Sequence, residues 1–153
     1  MRNFAFGFIV LCAFQMTDAA ESRVVADATA SADWIAQALQ SSGYNADYSI
    51  DSLKEIDRFF DEQAPDGIPV SGGLLSEQVG MRLFALGAYV GETIRRAGNG
   101  VWRGDDSDPR AEVNVEVVMP NGMVMWPVQR VMKRFKNGPD DGIYGYGLSA
   151  TNQ

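Results

Sequence analysis

Histidine is absent from the 153 residues, and the single cysteine is Cys12. The first absence removes Ser-His-Asp and Cys-His nucleophilic catalysis, imidazole general acid–base chemistry, and ordinary zinc and copper sites. Carboxylates, Lys, Tyr, Ser and Thr remain, so an enzyme keeps only a few routes. Positive charge is also scarce: 13 Lys and Arg face 20 Asp and Glu, a formal net charge of −7. Nucleic-acid binding rests on neutralising phosphates, and this balance argues against it. It suits a soluble protein or one that meets a basic partner.

The N-terminus carries an address. Arg2 precedes the apolar run FAFGFIVLCAF, 11 residues from Phe4 to Phe14, and Thr17-Asp18-Ala19 follows a short polar stretch. That order predicts a secretory signal peptide over 1–19, cut after Ala19, and a run of this length is too short for a permanent anchor. Leu11 is too bulky for a lipoprotein site before Cys12, so the cysteine leaves with the leader. The exported body then has neither disulfide nor thiol nucleophile. Arg2 and Asp18 leave together, and the net charge stays at −7.

Residues 20–30 (AESRVVADATA) are small and polar and are expected to form a flexible lead-in. The remainder, 31–153, is long enough for one domain with its own core. ADWIAQALQSSG places Trp34, Ile35, Ala38 and Leu39 at helical spacing, with Ser31 as a cap and Gly43 as a stop. In DYSIDSLKEIDRFFDEQ, Ser49 caps a second helix, Asp51 complements its dipole, and Tyr48 and Leu53 form a staple. Ile50, Leu53, Ile56 and Phe60 make its apolar stripe. APDGIPVSGG, residues 64–73, breaks any continuation.

A third helix is predicted from a Ser76 cap to about Ala97. Projected at about 100° per residue, Gly80, Gly87, Gly91 and Gly98 fall within about 20° of one line. Each interior glycine costs about 1 kcal/mol relative to alanine. Close approach of a backbone or a large ring is the physical compensation. Only nine uncharged residues separate Arg82 from Glu92, which excludes a membrane dimer seam. Gly98-Asn99-Gly100 follows a helix instead of preceding one, which argues against a phosphate cradle.

After Trp102 the period changes. Val113, Val115 and Val117 alternate with Asn114 and Glu116 as in a half-buried strand, Pro120-Asn121-Gly122 makes a hairpin turn, and MVMW returns. Gly100–Arg103 is expected as a preceding strand. Pro127 opens another helix, with Val128, Val131 and Phe135 inward, and Asn137-Gly138 ends it. The tail DDGIYGYGLSATNQ reads as an edge strand or an irregular cover. The fold class is α+β: N-terminal helices on a small antiparallel sheet, followed by a further helix.

Four groups of residues carry candidate chemistry. Asp105, Asp106 and Asp108 crowd one loop without EF-hand spacing, and are assigned to contact with a partner. Met119, Met123, Met125 and Met132 flank Trp126, but a Cu(I) site without His or Cys would be unusual, and core filling is the simpler reading. Arg130, Lys133, Arg134 and Lys136 form the one basic helix face. Glu92 and Glu116 are candidates for a glycosidase carboxylate pair, whose separation the sequence does not give. No metal and no cofactor is called for.

DYSIDSLKEIDRFF, LGAYVGETIRRAGNGVW and PVQRVMKRFKNG, followed by an acidic turn before IYGY, resemble a group of small uncharacterised bacterial domains over about 100 residues. The resemblance implies an α+β domain, brings no established activity, and associates such domains with secreted-toxin systems. A final helix would be usual in that group, and the glycine-broken tail departs from it. The functional expectation is an exported, non-catalytic protein-binding domain, including an immunity-type inhibitor of a basic toxin or hydrolase. The alternatives are a carboxylate-based cell-wall hydrolase and a structural envelope domain.

Overall fold

The computed structural model describes residues 21–152; the expected signal peptide and Cys12 lie outside them. Helix α1 spans Arg23–Ser41, α2 Leu53–Gln63 after a short 3-10 turn, and α3 Val79–Gly98. Strand β1 (Val101–Arg103) follows, then the four-residue α4 (Ala111–Asn114), β2 (Glu116–Val118) and β3 (Val124–Met125). Helix α5 covers Pro127–Asn137 and α6 Ile143–Thr151. The three strands pair antiparallel in the order β1-β2-β3, with Trp102 opposite Val117 and Val117 opposite Met125. This is an α+β fold with helices packed on a small sheet.

Helix α3 is the axis of the domain. Every residue from Leu83 to Ile94 is buried, so it is covered all round, and α1, α5, α6 and β2 pack against it. Tyr89, Leu86, Val90 and Ile94 are fully enclosed. A helix apolar on every side belongs at the centre of a core, and an amphipathic partner such as α2 belongs outside it. Two of the stripe glycines sit against neighbours that cannot easily give way. A β-carbon on Gly87 would stand 2.5 Å from Cα of Val128 on α5, and one on Gly91 would stand 2.2 Å from the Trp102 ring. Gly98 abuts the flexible end of Met119, whereas a β-carbon on Gly80 would meet nothing within 4 Å. The stripe therefore works over its central and final parts and not at its start.

Of residues 20–30, expected as a flexible lead-in, those from Arg23 onward are instead helical. Helix α1 begins at Arg23, not after Ser31, because Ser22 caps it and Val24, Val25, Ala28 and Ala32 bury one face against Phe84, Ala88, Val115 and Val128. Ser76 does not cap α3. Its hydroxyl donates to the Gly73 carbonyl at 2.7 Å, and α3 starts after Gln78, which takes a left-handed conformation at φ 50°. The valine alternation predicted from Val113 is broken by α4, so β2 holds only Glu116, Val117 and Val118. The hairpin itself forms as expected: Met119 N–H donates to the Met123 carbonyl, Gly122 N–H to that of Met119, and Gly122 has φ 88°.

The tail is neither edge strand nor irregular cover. It forms α6, whose first amides, on Ile143 and Tyr144, donate to the Asp57 carboxylate at 2.9 Å. Helix α6 lies against α2 and α3, and Gly147 is the point of closest approach, where a β-carbon would stand 2.2 Å from Leu53. Gly147 in this helix is the consequence of contact, not a sign of its absence.

Candidate functional site

The loop after β1 holds the three aspartates assigned to a partner, and the structure separates their roles. Asp106 closes the N-terminus of α1: its carboxylate accepts the amides of Arg23 at 2.8 Å and Val24 at 2.9 Å. These backbone bonds hold its carboxyl below the usual range, and negative charge there complements the helix dipole. Asp108 accepts from Asn114 at 2.7 Å and from the Arg110 amide at 2.8 Å, and the same two bonds lower its pKa. Asp105 spends Oδ1 on the amide and hydroxyl of Ser107, at 2.9 and 2.6 Å. Its second oxygen accepts no bond among the described residues.

Asp105 and Asp108 line a cleft of about 390 Å³ together with Arg103, Asn114, Glu116 and Trp126. Trp126 is 43% exposed. None of the candidate groups in the sequence includes it, although a signal existed. In MVMW, Met125 is buried as the last residue of β3, and Trp126, between the strand and α5, is the exposed neighbour that follows it. Pro127 then starts α5 and packs beside Gly91, which fixes the position from which Trp126 projects.

A second, larger depression of about 670 Å³ lies on the other side of β1, between Gly100–Gly104 and the first turns of α1. Glu92 lies at its wall, 3% exposed. Arg95 grips Glu92 with two bonds of 2.8 Å, Arg96 adds one of 2.8 Å, and the Trp102 indole N–H adds one of 2.9 Å. Burial alone would raise the Glu92 pKa; the bonds from Arg95, Arg96 and Trp102 together outweigh it and hold the group at about 2. Arg96 also stacks on the Tyr48 ring, 3.7 Å from its centroid. Tyr48 itself is held at φ 61°, with its amide on the Tyr89 hydroxyl and its own hydroxyl on Asp33.

Glu116 is bound by Arg103 across the β1–β2 pair. The two glutamates considered as a hydrolytic pair therefore sit in different clefts, each engaged by arginine. The basic face of α5 is largely turned to internal use. Arg134, 3% exposed, bonds to Asp57 at 2.9 Å and Asp61 at 2.6 Å, and Arg130 pairs with Asp141 at 3.0 Å. Lys133 and Lys136 are exposed. The methionines do not share one environment: Met119 and Met125 are in the core, while Met132 is 38% exposed.

Among the described residues, no helix is long and apolar enough to cross a membrane, and no three His, Cys, Asp or Glu side chains gather as a metal-holding group. No protein-family model, no curated protein and no solved structure matches the chain.

Proposed function

We propose that this is an exported, non-catalytic protein-binding domain that docks a basic partner, such as a toxin or hydrolase held in check by an immunity-type inhibitor. The observation that carries the reading is Trp126, 43% exposed, in one cleft with Asp105 and Asp108. A tryptophan in a concave patch offers a large, rigid contact of the sort that dominates binding energy at interfaces. Carboxylates beside it select a cationic side chain, which stacks on the indole face while its charge meets Asp105. The net charge of −7 steers a basic protein towards the surface. Asp106 contributes by fixing the loop to α1. The lowered pKa of Glu92 supports a non-catalytic role, because a hydrolytic acid needs a raised pKa and an accessible proton.

Capture from an envelope extract tests the reading. The full chain is expected to retain one stoichiometric basic protein, and Trp126→Ala and Asp105→Ala are each expected to lose most of it. Retention unaffected by either substitution would place recognition elsewhere. Cleavage of purified peptidoglycan that disappears with Glu92→Gln would establish the hydrolase alternative.

A further inference from the structure

Strand β1 is an edge of the sheet, and its hydrogen-bonding alternation leaves one residue facing out. Met119 N–H donates to the Met123 carbonyl, so Met119 and, two residues back, Val117 direct their backbone groups to β3. Glu116 and Val118 therefore face β1, where they pair with Arg103 and Val101. Trp102, between these two, turns its N–H and C=O away from β2. Outside the sheet, neither group meets a backbone partner among the described residues.

The open edge is not flat against solvent. It forms one wall of the 670 Å³ cleft, and the cap residue Ser22 with Val25 and Thr29 of α1 forms the other. The groove narrows at Gly104, where a β-carbon would stand 2.4 Å from Val24. Arg103 and Gly104 line the Trp126 cleft as well, so the two depressions adjoin across a shared lip. Glu92 pins the Trp102 indole at 2.9 Å, which holds the strand in place whether or not anything lies beside it.

We propose that this edge receives an extended peptide segment of the basic partner, added as a strand antiparallel or parallel to β1 and exchanging two backbone hydrogen bonds with Trp102. An N–H and C=O that a strand edge leaves open are a template for pairing with a second strand. Alternate side chains of the segment lie against Val25 and Thr29, and the others face solvent. A three-residue edge offers few backbone bonds, so the α1 wall and the adjoining Trp126 cleft supply the rest of the affinity. The inference rests on the protein-binding reading and names the form in which the partner presents itself.

The test pans the full chain against random linear peptides displayed on phage, and titrates an enriched peptide into isotope-labelled protein. Exchange of the Trp102 amide is expected to slow at least about tenfold, and N-methylation at alternate peptide positions to weaken binding at least about tenfold. Thr29→Arg projects a long side chain into the groove from a half-buried helix position; it is expected to abolish binding with the melting temperature preserved. No enrichment, or peptides that bind Thr29→Arg as tightly as the parent, would overturn the proposal. So would self-association of the chain that Thr29→Arg abolishes, which would make a second copy the occupant. A protein partner that ignores Thr29→Arg but is lost with Trp126→Ala overturns the added strand alone and leaves the protein-binding reading standing.

Discussion

The ring of Trp102 lies on the bare backbone of Gly91: a β-carbon there would stand 2.2 Å from Cη2 and 2.8 Å from Cζ2. The same indole donates to Glu92, the next residue on α3. One helical turn thus supplies both the flat surface that admits the ring and the acceptor that orients it. The sheet is joined to the central helix at this point.

Substitutions along α3 should separate the glycines that admit a neighbour from the one that does not. Gly87→Ala and Gly91→Ala force backbone, proline or ring to move, and each is expected to cost about 1–3 kcal/mol. Gly80→Ala, which meets nothing within 4 Å, is expected to be neutral or to stabilise by up to about 1 kcal/mol. Urea denaturation of the three variants measures this; equal losses at all three would contradict the packing described.

Glu92 gives a pH dependence of known sign. Its folded pKa, about 2, lies below its ordinary 4.5, so its contribution is complete above about pH 4.5 and is lost as the pH falls towards 2. With Arg95 and Arg96 partly solvated, the contribution is about 2–3 kcal/mol. Chemical denaturation between pH 6 and pH 2 should show that loss in the parent and a shallower one in Glu92→Gln.

Arg134→Met should loosen the C-terminal helix. It removes the bonds to Asp57 and Asp61 and frees the Asp57 carboxylate that caps α6. The expected cost is about 2 kcal/mol, below that of a fully buried pair because Asp61 is half exposed. Hydrogen exchange should accelerate in α6 more than in α3. Uniform acceleration would show that the pair supports the whole core and not the docking of one helix.

Loss of the Asp106 carboxylate should fray α1 from its N-terminus. In Asp106→Ala, faster exchange at Arg23 to Val25 with an unchanged rate at Ile35 is the expected result; Asp106→Asn, which retains an acceptor, should fall between.

These contacts also mark what could be read in the chain beforehand. Gly87 and Gly91 announced close packing through their spacing, and Pro127 and Gly122 announced a helix start and a turn, because each signal is local. The true start of α1 was hidden because Asp106, one of its caps, lies 82 residues from Val24. Helix α6 was hidden for the same reason: its cap, Asp57, and its closest neighbour, Leu53, are both on α2. Gly80 was misplaced because a helical projection does not show where neighbours end. At the candidate site, Asp105 and Asp108 were legible as an acidic loop, while the exposure of Trp126 required knowing that Met125 is buried.

Docking on Trp126 is tested by calorimetric titration of the captured partner into the parent and into Trp126→Ala, with the melting temperature of each recorded. Docking on this side chain requires an affinity reduced at least about tenfold in the variant and a melting temperature unchanged within about a degree, since the side chain is half exposed. Equal affinities for the two proteins would contradict it.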